Sequence, residues 1–123
     1  MTNTIIMLVD DSRVARMMTR AAIERLRPGW DIIEAASGEE ALTAIALDRP
    51  DFVLMDVNMP GIDGLEAARR LRERCPRAIV SLLTANIQDP IRHKAAELGI
   101  GFMSKPLKDE ALLDFLDGGH ATS

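Results

Sequence analysis

The sequence predicts an α/β domain with a five-stranded parallel sheet, doubly wound in the strand order 2-1-3-4-5. Segments typical of strands and of helices alternate five times, which indicates a parallel sheet covered by helices on both faces. The strand segments are continuous apolar runs bounded by turn residues, as at 52–55, and such runs indicate strands buried on both faces. Five units with right-handed crossovers fit the order 2-1-3-4-5.

Apolar runs and turn residues locate the individual elements. Strands are predicted at 4–9, 30–35, 52–56, 78–84 and 100–104. Helices are predicted at about 13–27, 38–48, 65–74, 90–99 and 108–117. Three helices are preceded by N-capping signals, and a fourth starts with an Asp-Pro pair. These signals are Ser12, Ser37 with Glu40, Asp63 with Glu66, and Asp89-Pro90.

The first predicted helix has a charged side and an apolar side. Arginines and a glutamate repeat along it at helical spacing, so we expect them to face solvent. The residues expected to face the core are Val14, Met17 or Met18, Ala21 and Leu26.

Composition and charge restrict the class of protein. With 123 residues, 47% hydrophobic and 28% charged, the chain is expected to form one soluble domain over 1–123, with a loose tail at 118–123. We expect no membrane-spanning helix and no secretory signal, because long apolar runs and a basic N-terminal lead are lacking. A net charge of −4 without a long basic run disfavours nucleic-acid binding. A single cysteine, Cys75, fits a reducing compartment, so a cytoplasmic protein is expected.

Polar residues follow four of the five predicted strands where each strand ends. Asp10 and Asp11 follow the first strand, and Asp56 ends the third. Thr84 ends the fourth strand, and Lys105 follows the fifth. Each alone has a simpler role, such as a charge at a helix N-terminus or a solvated lysine. Together they should meet at one edge, because these strands are contiguous in the predicted order and open α/β sheets bind ligands at the strands' carboxyl ends.

Three carboxylates at one edge predict a cation site. Like charges held close together repel, and a hard divalent cation with oxygen ligands relieves that repulsion. Mg²⁺ suits one or two carboxylates with further oxygen ligands. A lysine and a hydroxyl beside such a site suit phosphoryl transfer, in which a carboxylate can itself act as the nucleophile and form an acyl phosphate.

Four motifs of the chain resemble those of response-regulator receiver domains of bacterial two-component signalling. The resemblance covers essentially the whole chain, and the second motif is the most specific. It implies a flavodoxin-like (βα)5 fold that works as a phosphorylation-activated switch and not as a conventional enzyme. The motifs are Val9-Asp10-Asp11-Ser12, Met55-Asp56-Val57-Asn58-Met59-Pro60-Gly61-Ile62-Asp63-Gly64, Leu83-Thr84-Ala85 and Ser104-Lys105-Pro106.

The resemblance also implies a role for each acidic residue. Asp56 would accept the phosphoryl group from a phosphohistidine of a histidine kinase or histidine phosphotransfer protein. Asp11, Asp56 and the main-chain carbonyl of Asn58 would ligate Mg²⁺. Asp10 would act largely through a metal-bound water.

Thr84 and Lys105 would contact the phosphoryl oxygens, according to the same resemblance, and the Lys105-Pro106 peptide would be cis. Thr84 would then move and let Phe102 turn inward, which reshapes the surface of helix four, strand five and helix five for a protein partner. The start of helix one would dock on the phosphodonor, with Arg13 and Arg16 as exposed contacts. The domain would be a monomer that can dimerise on phosphorylation.

Three alternatives remain at this stage. The chain could be a receiver module from a larger hybrid kinase or output regulator. A haloacid-dehalogenase-like phosphatase also uses an aspartate and Mg²⁺, but it requires Asp-x-Asp where this chain has Asp10-Asp11-Ser12. A flavodoxin-like cofactor binder would require a hydroxyl- and glycine-rich phosphate loop after strand one, where this acid pair would repel a phosphate.

Overall fold

The computed structural model describes residues 3–59, 61–85 and 90–118, in which strands and helices alternate from the first strand to the last helix. Residues 119–123 of the tail expected at 118–123, and the helix start expected at Asp89, lie outside these residues. The elements are β1 (Ile5–Val9), α1 (Arg13–Leu26), β2 (Asp31–Ala35), α2 (Gly38–Ala44), β3 (Phe52–Asp56), α3 (Gly64–Arg74), β4 (Ile79–Thr84), α4 (Ile91–Glu97), β5 (Gly101–Ser104) and α5 (Asp109–Leu116).

The five strands form one parallel sheet in the order β2-β1-β3-β4-β5, which confirms the predicted fold class. The register aligns the carboxyl ends of the central strands, since Val9 lies opposite Met55 and Asp56 lies opposite Leu83. The residues that follow these strands therefore meet at one edge of the sheet.

A separate apolar core covers each face of the sheet. Side chains alternate between the two faces along each strand; in β3, Val53 and Met55 join one core, and Phe52 and Leu54 join the other. The first core is closed by α2, α3 and α4, and the second by α1 and α5. This double burial explains why the strands are apolar without alternation in the sequence.

The side that helix α1 presents to the sheet matches the prediction at Leu26 but not at Val14, Met17 or Met18. Val14, Met17 and Met18 are 65%, 58% and 70% exposed, whereas Ile23 is buried. The prediction failed at the other positions because it placed the large apolar residues inside, whereas the buried side of the helix includes the small residues Ala15 and Ala22. Residues of α1 that are partly or fully buried include Ala15, Thr19, Ala22, Ile23 and Leu26.

Helix α2 is shorter than predicted. It ends at Ala44, and the chain then tightens into a turn in which the Ala46 and Leu47 N–H groups bond to carbonyls three residues earlier, at 3.2 and 3.0 Å. Such bonds commonly complete a helix end. The capping signals predicted for α1, α2 and α3 are confirmed, because Ser12, Ser37 and Asp63 each accept a hydrogen bond from the N–H three residues on.

Helix α5 is short but firmly anchored. Leu112, Phe115 and Leu116 are buried, and the Phe115 and Phe52 rings form a T-shaped pair with a centroid distance of 5.4 Å. Within residues 3–59, 61–85 and 90–118, every helix falls short of the length and apolarity that crossing a bilayer requires.

We expect Phe115→Ala to lower the free energy of unfolding by about 3–5 kcal/mol, because it removes a fully buried aromatic side chain and leaves a cavity. Chemical denaturation measures this loss. Leu47→Ala is the control, since Leu47 is 88% exposed and its truncation should change the free energy by less than about 0.5 kcal/mol. Equal losses in the two variants would contradict the position assigned to α5.

Candidate functional site

Three carboxylates come together at the carboxyl edge of the sheet. Asp10 and Asp11 follow β1, Asp56 ends β3, and each offers an oxygen that lies within 4.8 Å of the others. Asp10 and Asp56 are buried, at 7% and 5% exposure, whereas Asp11 is exposed. The sheet register therefore brings together the three acids that the sequence predicted to meet.

The loop from β1 to α1 fixes Asp10. Its N–H continues the sheet by donating to the Ala35 carbonyl at 3.1 Å, and its Oδ1 accepts the Ser12 N–H at 2.9 Å. Ser12 in turn caps α1 by accepting the Ala15 N–H at 3.2 Å. One short loop thus ends the strand, orients the carboxylate and starts the helix.

Asp56 is held by its own loop and by α3. Its Oδ1 accepts the Asn58 N–H at 3.2 Å, and the Val57 N–H donates to the Leu83 carbonyl at 2.9 Å. The first residue of α3 is Gly64, where a Cβ would lie only 2.4 Å from the Asp56 carbonyl oxygen. The helix start can approach Asp56 this closely only because residue 64 has no side chain.

Burial raises the pKa of Asp56 above its ordinary value, and the negative charge of Asp10 adds to the effect. The Asn58 N–H and the Lys105 ammonium oppose this shift without cancelling it. In the described part of the site, three carboxylates thus share the ammonium group of Lys105. Three clustered carboxylates, two of them buried, fit a hard divalent cation such as Mg²⁺, which takes oxygen ligands.

Lys105 joins this acidic cluster from the fifth strand. Its Nζ lies 3.4 Å from Asp56 Oδ1 and 3.6 Å from Asp10 Oδ2. Its backbone N–H donates to the Thr84 carbonyl at 2.7 Å, and the Lys105-Pro106 peptide is cis, as expected. The β5 end thereby brings the ammonium group against both buried acids.

The remaining predicted site residues lie around this cluster. Thr84 is fully buried at the end of β4, and Asn58 is exposed just beyond β3. Phe102 lies on β5 opposite Leu82 and is 5% exposed, within the core that α2, α3 and α4 close. Phe102 thus belongs to the packing behind the edge and not to the acidic cluster itself.

Two residues near the site were not assigned correctly from the sequence. Arg16 was expected to be exposed, but its side chain is 15% exposed and contacts Glu34 and the Asp10 carbonyl. Glu39 was not singled out, yet its carboxylate accepts the Ile62 N–H at 3.1 Å, in the loop that follows Asp56. The buried face of α1 could have indicated Arg16, whereas the Glu39 contact spans 23 residues and leaves no local pattern.

Comparison with known proteins places this chain in a family. The family model described as "Response regulator receiver domain" matches residues 6–117. The chain is 38% identical over 114 residues to the positive alginate biosynthesis regulatory protein of Pseudomonas aeruginosa, with 90% of this chain and 45% of that protein covered. It is 34% identical over 116 residues to the sensor protein EvgS of Escherichia coli (strain K12), covering 94% of this chain and 10% of EvgS. The chain therefore spans less than half the length of these curated relatives.

A solved structure shows the same architecture. The chemotaxis protein CheY4 of Vibrio cholerae superposes with a TM-score of 0.83 at 27% identity, covering 95% of this chain and 98% of that one. The strand order, the acids at the strand ends and the match over residues 6–117 agree with one another. The chain belongs to the response regulator receiver domain family.

Proposed function

We propose that this chain is a phosphorylation-activated signalling switch in which Asp56 is the phosphoacceptor. The observation that carries the proposal is the position of Asp56, buried beside Asp10 and Asp11 with the Lys105 ammonium 3.4 Å away. The phosphodonor is a phosphohistidine of a histidine kinase or histidine phosphotransfer protein. An Asp56 carboxylate oxygen forms a bond to phosphorus while the phosphorus–nitrogen bond of the donor breaks, which leaves an aspartyl phosphate and a neutral histidine.

The surrounding residues divide the work of this transfer. Asp11, Asp56 and the Asn58 carbonyl would hold Mg²⁺, with Asp10 acting through a bound water. When bound, Mg²⁺ supplies positive charge to the phosphoryl oxygens. The Lys105 ammonium provides a second cation on the same side, and it is pre-positioned by its contacts with two acids.

The switch follows from the charge that phosphorylation adds, roughly −1.5 to −2 at neutral pH. Thr84 supplies a hydroxyl at the end of β4, and Phe102 lies on the neighbouring strand behind it. We assign Thr84 and Phe102 as the pair whose packing responds to the phosphoryl group and reshapes the surface of α4, β5 and α5. The phosphoryl group biases one of two packings, which is a population shift.

The output of this switch is binding to a protein partner, and the domain acts without chemistry beyond its own phosphorylation and dephosphorylation. We propose a cytoplasmic domain that binds neither nucleic acid nor membrane, and that is monomeric until phosphorylation. A second candidate is a receiver module of a larger hybrid kinase or output regulator. The coverage of only 45% and 10% of the two relatives favours this candidate, and the chemistry at Asp56 is the same in both cases.

Helix α1 supplies a surface for the phosphodonor. Val14, Met17, Met18 and Ala21 recur at spacings of three and four residues, so they form one stripe along the helix. All four are exposed, and the stripe begins three residues after Asp11, beside the acids. An apolar stripe of this kind, rich in methionine, suits the groove between two partner helices. We propose that the phosphodonor binds here and thereby presents its phosphohistidine to Asp56.

The phosphoacceptor assignment predicts that incubation with Mg²⁺ and acetyl phosphate adds one phosphoryl group to the wild-type chain, measured as intact mass. Asp56→Asn should show no gain, because an amide oxygen is a poor nucleophile. Asp48→Asn makes the same charge change at an exposed position and should behave as wild type. Equal phosphorylation of Asp56→Asn and wild type would refute the assignment.

The raised pKa of Asp56 predicts a stability effect that depends on pH and metal. An ionised carboxylate whose folded-state pKa is raised opposes folding above that pKa, and makes no contribution below the pKa of the unfolded chain, about 4. Without divalent cations, Asp56→Asn should therefore be more stable than wild type near neutral pH. This difference in the free energy of unfolding should vanish as the pH falls from above the folded-state pKa of Asp56 to below about 4. Urea unfolding at neutral and at acidic pH measures the free energy of unfolding of both proteins.

Addition of Mg²⁺ at ten times its dissociation constant should then stabilise wild type by about 1.4 kcal/mol. The same addition should stabilise Asp56→Asn much less, because one ligand has lost its charge. Identical Mg²⁺ responses of the two proteins would contradict a metal site that includes Asp56.

The α1 stripe predicts a difference between protein and small-molecule donors. Truncating both Met17 and Met18 to alanine should slow phosphotransfer from a histidine kinase that is active on wild type by roughly tenfold, which corresponds to about 1.4 kcal/mol of lost contact. The rate with acetyl phosphate should be unchanged, and Leu47→Ala serves as the exposed control. Equal slowing with both donors would place the effect in the chemistry and not in docking.

A further inference from the structure

Arg16 of α1 forms a bridge that ends at the acidic cluster. Its Nη1 donates to the main-chain carbonyl of Asp10 at 2.5 Å, and its Nε donates to Glu34 Oε1 at 2.9 Å. The side chain is 15% exposed, so solvent competes little for these hydrogen bonds. A single guanidinium thus ties the end of β1 to the end of β2.

The Asp10 carbonyl belongs to the peptide that leads into Asp11. A peptide unit is planar, so fixing the direction of its carbonyl also fixes its N–H and the direction in which the next Cα lies. The Asp10 N–H is already held by the Ala35 carbonyl, and its Oδ1 is held by the Ser12 N–H. The hydrogen bond from Arg16 fixes the carbonyl of Asp10, on the side of the residue that leads to Asp11. It therefore constrains the position of the Asp11 backbone.

A gap in the packing beside this loop makes the Arg16 hydrogen bond important for the position of the peptide. A small cavity adjoins this loop, lined by Asp10, Ala15, Arg16 and Thr19 together with strand residues. Close packing is what usually prevents a backbone segment from shifting. Beside a cavity, packing constrains the peptide less, so the hydrogen bond from the partly buried Arg16 contributes more to holding the peptide in place.

The charge of Arg16 is directed at Glu34 and not at the acids of the site. Hydrogen bonding from Arg16 lowers the pKa of Glu34, and Arg20 contributes through its own bond to the other Glu34 oxygen at 3.0 Å. A guanidinium paired with a carboxylate carries little net charge. Its contact with the Asp10 carbonyl therefore acts on geometry more than on the potential at the site.

We propose that Arg16 is a positioning residue for the metal-binding acids, orienting the Asp10–Asp11 peptide so that both carboxylates face Asp56. This inference rests on the proposed function of that cluster as a Mg²⁺-dependent phosphorylation site. Groups that orient metal ligands without touching the metal typically change metal affinity by about 10–100-fold when removed. Arg16 occupies such a place in this chain.

The chain provides a matched control for this proposal. Arg20 also pairs with Glu34 from α1, but the bond to the Asp10 carbonyl comes from Arg16. Arg16→Ala removes both contacts of the bridge, whereas Arg20→Ala removes contacts with Glu34 and Glu24 and leaves the bond to the Asp10 carbonyl in place. Arg16→Lys keeps the positive charge, but the ammonium group of lysine is a point charge and cannot donate in two fixed directions as the planar guanidinium does.

Calorimetric titration of the full chain with Mg²⁺ tests the inference. We expect Arg16→Ala and Arg16→Lys to weaken Mg²⁺ binding by about tenfold, and Arg20→Ala to change it by less than about twofold. In ¹H–¹⁵N spectra of the metal-free proteins, the amide resonances of Asp11 and Ser12 should shift in the Arg16 variants and stay in place in Arg20→Ala. Arg16→Lys decides the question if Arg16→Ala does not fold.

The outcomes separate the inference from the function on which it rests. Failure of the wild type to bind Mg²⁺ or to become phosphorylated at Asp56 would remove the proposed function itself. Normal binding by wild type together with unchanged affinity in Arg16→Lys would overturn the positioning role alone. Equal loss of affinity in Arg16→Ala and Arg20→Ala would also overturn it, since the effect would then come from Glu34.

Discussion

The structure depends on placing two negative charges, Asp10 and Asp56, at the buried edge of a parallel sheet. Their strands run side by side in register, so their carboxyl ends cannot separate without breaking the ladder between β1 and β3. Burial removes the water that would screen the two charges, and it raises the pKa of Asp56. The apolar cores on both faces hold the strands together against this repulsion. The fold therefore maintains a site that attracts cations because it is short of positive charge.

The sequence predicted the sheet and the acidic cluster because both depend on local patterns. Continuous apolar runs reveal strands buried on both faces, and in a parallel sheet the residues after neighbouring strands must meet. The prediction failed for most of α1, because a hydrophobic pattern gives weight to large residues such as Met17 and Met18, whereas the partly buried side of the helix includes the small residues Ala15 and Ala22. The end of α2 was misplaced because a helical turn can change its hydrogen bonding without a change in composition.

The loops that carry the site are held by polar side chains from the helices. Arg16 binds the Asp10 carbonyl, and Glu39 of α2 accepts the Ile62 N–H beyond Asp56. Arg72 of α3 donates to the carbonyls of Leu98 and Gly99, at 3.2 and 2.7 Å, where α4 leads into β5. Each contact satisfies a loop group that the sheet leaves unpaired. The Glu39 and Arg72 contacts connect residues 23 or more positions apart that no period in the sequence relates, so the sequence alone does not reveal them.

The proposed docking role gives helix α1 two tasks that conflict in an ordinary surface helix. Its exposed stripe of Val14, Met17 and Met18 leaves fewer apolar side chains to anchor the helix. Polar contacts make up for this at both ends: Arg16 ties the first turns to β1 and β2, and Arg25 forms two hydrogen bonds to Asp109 of α5, at 2.9 and 3.0 Å. A helix held in this way can offer an apolar face to a partner while its first turns stay in register with the acids. Since Arg16 belongs to the same turns as the stripe, a partner that displaced the helix start in the proposed docking would also displace the group that binds the Asp10 carbonyl.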